Sequence, residues 1–179
     1  MSSSKSFTMS ISMSTPTNSS NISPVIDTQR LSLFLIQNRL NNPIDGTTPD
    51  FVAETTNTGG SASAKYMTRP VILTNDATAL DIRVSANVRS TSTLRMYYRI
   101  TSAEDARKLG DVAWVAFNSD GTSDSTIEPA KDSVTFKEHK FSASSLPEFT
   151  AFQLKVVMVG TNSSYPPLLK DMRGIALAI

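Results

Sequence analysis

Two consecutive stretches of strict alternation constrain this chain more than anything else in it. Leu80, Ile82, Val84, Ala86 and Val88 alternate with Asp81, Arg83, Ser85, Asn87 and Arg89; Leu94, Met96, Tyr98 and Ile100 then alternate with Arg95, Tyr97, Arg99 and Thr101. A period of two sends successive side chains to opposite faces of a strand, so each stretch has one wet face and one buried face. Joined only by Ser90-Thr91-Ser92-Thr93, the two predict an antiparallel hairpin. Further strands are expected over 66–73, 112–117, 133–141, 150–159 and 172–179, each bounded by Gly, Pro, Ser or Asn. Pro70 marks the first of these as an edge or a bulge. The polar segment 103–109 predicts one short helical excursion ended at Gly110. Seven or eight short strands with little helix predict an all-β chain. The expected fold is a two-sheet antiparallel β-sandwich, jelly-roll-like, over 65–179.

Ahead of it, residues 1–24 are rich in serine, the composition of a flexible linker. Yet Phe7, Met9, Ile11 and Met13 alternate with Thr8, Ser10, Ser12 and Ser14. A disordered tail has no reason to keep that period, so the segment reads as an extended arm that pairs with a sheet edge, its own or a neighbour's. The plainer alternative is a chance pattern in a Ser-rich tail. Residues 25–64 form a lead-in and a loop. Leu31, Leu33, Phe34, Leu35, Ile36 and Leu40 fit either a short helix capped by Asp27 or Thr28 or a buried extended segment, and 41–64 is turn-rich, reading as a long surface loop or clamp.

Composition narrows the function classes. Seventeen Lys and Arg stand against 16 Asp and Glu in 179 residues, a formal net charge of +1. No basic run builds the field a phosphate backbone needs, so nucleic acid is not an expected partner. With no cysteine there are no disulfides, thiolate metal sites or cysteine nucleophiles. No stretch approaches the ~18 apolar residues of a spanning helix, and the N-terminus lacks an apolar signal core, so the chain is expected to be soluble and unexported, with no membrane partner.

Candidate chemistry is sparse. His139 stands alone among Lys137, Glu138 and Lys140 and reads as a solvent-facing imidazole, because a triad or metal site needs partners the sequence does not place. The run 118–124, Asn-Ser-Asp-Gly-Thr-Ser-Asp, fails as a calcium loop: with Gly121 at position 6, positions 1 and 12 are Ala116 and Ile127. It reads as an acidic turn. Glu104, Asp105, Arg107 and Lys108 suit local ion pairing better than acid–base work. Trp114 and Phe117 with Tyr97 and Tyr98 suggest either core or an aromatic platform for sugars. No catalytic residue, metal site or cofactor is expected, and the chain is read as not an enzyme.

The C-terminus is unusual, because Ile175-Ala176-Leu177-Ala178-Ile179 ends the chain in a strand without a polar tail. It must be covered, inside the sandwich or by another subunit, since an exposed strand of this kind aggregates. Ile175, Leu177 and Ile179, with Phe7, Met9, Ile11 and Met13, are therefore the expected interface residues.

Several segments also occur in a telling order: Gly59-Gly60 through Ala64-Lys65-Tyr66-Met67-Thr68-Arg69, the strands over 79–101, Phe149 through Met158, Thr161-Asn162-Ser163-Ser164, and Lys170-Asp171-Met172-Arg173-Gly174-Ile175-Ala176-Leu177. Over roughly residues 22–179 the chain resembles the C-terminal β domain of baseplate wedge and related virion structural proteins of contractile-tailed bacteriophages, cyanophages especially. That resemblance implies a structural protein of the virion, tail or baseplate foremost, partnered by other virion proteins and by further copies of itself and assembled in the host cytoplasm. The chain matches only the terminal-domain part of that pattern, so baseplate, fibre joint, neck and capsid all stay open. The alternatives are a capsid decoration protein and a carbohydrate-binding module on the virion surface that takes host glycans through aromatics near Tyr97 and Trp114.

Overall fold

The computed structural model describes residues 10–12, 40–41, 51–162 and 165–178. The chain divides into two units, Met1–Ile36 and Gln37–Ile179. Of the first, only residues 10–12 are described; they are exposed and lie in no strand. Phe7, Met9, Met13, Ile179 and the lead-in over 27–38 lie outside the described residues.

Among its described residues the second unit contains eight strands in two antiparallel sheets: β1 (Lys65–Met67), β2 (Val71–Ala77), β3 (Ala79–Asn87), β4 (Ser92–Thr101), β5 (Val115–Ala116), β6 (Lys137–Ala143), β7 (Phe149–Gly160) and β8 (Leu168–Leu177). One sheet runs β1-β7-β4-β5, with β2 also on β7; the other runs β6-β3-β8. The two-sheet sandwich expected from the strand pattern is present. The β1–β2 edge is interrupted where Pro70 removes a donor, and Thr68 bridges the gap: its N–H donates to Leu154 O at 2.9 Å and its hydroxyl accepts from Leu154 N–H at 3.0 Å.

Two sequence expectations fail, each for a physical reason. First, β3 and β4 do not form a hairpin. β3 pairs with β6 and β8, while β4 pairs with β7 from Ser92↔Gly160 to Thr101↔Ala151. The link over 88–91 carries the chain from one sheet to the other, tied by Ser92 N–H to Arg89 O at 3.0 Å and by Arg89 N–H to Ser92 Oγ at 3.0 Å. Two strands with one apolar face each bury those faces equally well side by side or face to face. Here Leu80, Ile82, Val84 and Ala86 meet Leu94, Met96 and Tyr98 across the core, all buried. Second, 103–109 forms no helix; only the 3-10 turn Leu109–Asp111 follows it. The Asp105 carboxylate accepts from the Arg107 N–H at 2.9 Å and from its guanidinium at 2.7 and 3.0 Å, a local alternative to the helical ladder. Those bonds hold the half-buried Asp105 carboxyl down at about 2.

Strand β7 explains the thickness of the molecule. Its sequence does not alternate, because both faces are covered. Phe152, Leu154 and Val156 enter the central core with Phe117, Phe141 and Phe149, whereas Val157 and Val159 join Tyr97, Trp114 and Ala62 in a second cluster on the outer face of the same sheet. The lid of that cluster is the segment 51–64, a strap closed by Ser61 N–H to Val52 O at 3.0 Å and by Val52 N–H to Ser61 Oγ at 2.8 Å. Asn41 anchors it: its amide donates to Ala64 O and Met158 O at 3.1 and 2.9 Å and accepts from Ser63 N–H at 2.8 Å.

The strap needs a glycine at 60. Its φ is +73°, and a Cβ there would stand 2.7 Å from Glu54 Cα and 2.3 Å from Glu54 Oε1. Gly60→Ala is expected to cost about 2–3 kcal/mol through strain and displacement of the strap. Urea unfolding together with proteolysis of 51–64 checks it.

Candidate functional site

Polar chemistry concentrates under the strap. Lys155 stands on the outer face of β7 amid Val156 and Val157, its side chain fully buried. A lysine in so apolar a run folds only if every donor is met. Its ammonium donates to Glu54 O at 2.5 Å, Glu54 Oε2 at 2.9 Å and Gly59 O at 3.0 Å. The second Glu54 oxygen accepts from Ala62 N–H at 2.7 Å. Tyr97 and Trp114 offer their ring faces to Lys155 Nζ at 4.6 and 5.1 Å. Burial pulls the Lys155 pKa below its usual value, and the Glu54 hydrogen bond and charge partly oppose that. Next to it Arg99 lies 4.4 Å over the Trp114 ring and grips Gln153 Oε1 at 2.6 and 2.9 Å.

This arrangement locks a loop. All three ammonium protons are committed, and a group at 0% exposure meets no ligand. It also settles the aromatic platform. Trp114, Phe117, Tyr97 and Tyr98 are each at most 7% exposed, so none is free to stack on a sugar. Tyr98 and Phe117 meet edge to face at 4.8 Å in the central core. Of the two sequence alternatives, the core reading holds.

His139 is a correction of the opposite kind. It is 8% exposed, not solvent-facing, because it sits two residues from Phe141 and shares its inward face; its Cα partner is Val84. It lines a cleft of about 350 Å3 at one end of the sandwich with Val88, Leu94, Phe141 and hydroxyls from Ser92 and Thr122. Burial, with help from Lys137, depresses its pKa below 6.5. The sign follows: as pH falls through 6.5 the unfolded chain takes up a proton that the folded chain refuses, so stability falls with it. Wild type is expected to lose up to about 1.4 kcal/mol per pH unit below that point. His139→Gln removes this dependence, as urea titrations at pH 7.5 and 5.5 would read.

The acidic run is a turn. Asp120 accepts from the Thr122 N–H and hydroxyl, and Asp124 accepts from the Ser142 N–H and hydroxyl, which ties the turn to β6. Among the described residues no three His, Cys, Asp or Glu converge as metal ligands.

The expected interface residues are placed unevenly. Ile11 is 49% exposed; Ile175 and Leu177 are 49% and 39% exposed on β8, which among the described residues pairs with β3 alone. The register puts Ile175 opposite Asp81 and Leu177 opposite Ala79, on the outer face of the three-stranded sheet. The rest of that face is charged: Arg83 bridges Asp81 and Glu138, and Arg173 reaches Glu138 at 2.7 Å. The apolar end of β8 is therefore an isolated greasy stretch beside a salt-bridged surface. Lys155–Glu54 and Asn41 were not singled out in the sequence; a lysine inside 152–159 was the available signal. The chain matches no protein-family model, no curated protein and no solved structure.

Proposed function

We propose that this chain is a non-enzymatic structural subunit of a bacteriophage virion, in the tail or baseplate, acting by protein–protein assembly. The observation that carries the reading is β8, which packs Met172 and Ala176 against the core but leaves Leu168, Leu169, Ile175 and Leu177 exposed. Among the described residues nothing covers the apolar stretch of β8, and cover by another subunit is the reading we adopt. The densest polar cluster supports the non-enzymatic part, since its groups are spent on closing the strap. The tail and baseplate station rests on the resemblance of the ordered segments to wedge-type terminal domains. The Ser-rich arm adds a strand to an edge elsewhere in the assembly, burying its apolar side at about 25 cal/mol per Å2 once a partner is present.

Disrupting the coding sequence tests this. Heads filled with DNA but lacking functional tails are the expected product, visible by electron microscopy. Normal particle yield and infectivity would overturn the proposal.

A further inference from the structure

Among the described residues the sandwich has four sheet edges, and three are guarded. The β1–β2 edge is broken by Pro70, β5 is two residues long, and β6 already receives the acidic turn, Asp124 N–H donating to Lys140 O at 2.8 Å. β8 is ten residues long, holds no proline, and among the described residues nothing bonds to its outer edge. Alternate N–H and C=O groups along it face away from β3. Leu168, Leu169, Ile175 and Leu177 are all 36% exposed or more.

We infer that β8 pairs antiparallel with β8 of a second copy about a twofold axis at Met172, joining two three-stranded sheets into one of six. The strand is complementary to itself in that register. Asp171 of each copy lies opposite Arg173 of the other, both on the outer face, where Asp171 is 59% and Arg173 64% exposed. Leu168 and Leu169 then meet Ala176 and Ile175, apolar against apolar. A register shift in the sheet leaves Lys170 as an extra residue beside β3, and opposite it comes Gly174, which has no side chain to clash. Moving the axis one residue either way sets Arg173 against Arg173 or Asp171 against Asp171, both repulsive. Moving it to Gly174 sets Asp171 against Leu177 and Arg173 against Ile175, each charge opposite an apolar residue of the other copy.

The inference gives the assembly reading its first partner and rests on it for purpose, but its test reads self-association in solution and so fails or stands apart from whether particles contain the chain. Sedimentation of the full chain over a concentration series is expected to show a monomer–dimer equilibrium. Arg173→Glu weakens the dimer by about tenfold, because two symmetric pairs become repulsive. The double change Asp171→Lys with Arg173→Glu restores it, which a role confined to one chain through Glu138 would not. The chain has no cysteine, so Met172→Cys alone is expected to give a covalent dimer on oxidation, opposed strand residues being within disulfide reach. Removing residues 1–24 leaves the dimer intact. A wild-type chain that stays monomeric, a dimer indifferent to both charge changes, or one lost with the arm would overturn the inference; the last would make the arm the occupant of this edge.

Discussion

Replacing Lys155 with methionine is expected to cost the fold about 3–5 kcal/mol, a third or more of what holds a domain of this size together. Methionine keeps an apolar stem of similar length, so the space beside Tyr97 and Trp114 stays filled. What remains is the Glu54 carboxylate, 5% exposed, with Ala62 N–H as its surviving donor, and the Glu54 carbonyl stripped of its 2.5 Å partner. A buried charge robbed of its counter-ion is among the most expensive single defects a core can carry. The strap over 51–64 would come away from the outer face, exposing Tyr97 and Trp114. Urea unfolding should show the loss, and limited proteolysis should cut within the strap. Changing Glu54 to leucine in the same chain should recover much of the cost, because the pair is then removed as a unit. A Lys155→Met chain within about 1 kcal/mol of wild type would mean that the strap is held by apolar contact alone.

Changing Ile11 and Met13 together to aspartate is expected to abolish incorporation into particles while leaving the isolated domain folded. The two sit on the apolar side of the alternation over 7–14, and a strand adds to an edge only if that side can be buried. Two carboxylates there charge the apolar side of the arm, while the described core of the sandwich is drawn from Gln37–Ile179. Deleting residues 1–24 should likewise shift stability by less than about 1 kcal/mol. Thermal melts of the domain and immunoblots of purified particles read the two halves of this prediction. A truncated chain that unfolds, or a charged arm that still enters particles, contradicts it.

The strands were legible because alternation survives wherever one face of a sheet is wet. The region over 79–101 shows what alternation leaves open: it fixes which face of β3 and of β4 is buried and says nothing about whether the two lie in one sheet. The absence of an Asn-Gly or Asp-Gly pair between them was the available hint. His139 was misplaced although parity with Phe141 put it inside; its charged neighbours outweighed the pattern. Tyr97 and Tyr98, adjacent aromatics on opposite faces, signalled a sheet covered on both sides, and so did the unbroken apolar run of β7 around Lys155. The strap stayed hidden because it is made by few residues far apart in sequence: Glu54 meets Lys155 across 101 positions, and Asn41 meets Met158 across 117. No local period records such contacts. The apolar end of β8 was legible in the sequence, and the register on β3 places Ile175 and Leu177 on the outer face of their sheet.

The most direct test of the account is mass spectrometry of purified virus particles separated into heads and tails. The account predicts this chain in the tail fraction, in a fixed ratio to the other tail proteins. Its presence in heads alone would make it a capsid decoration protein, and its absence from both fractions would contradict a structural role in the virion.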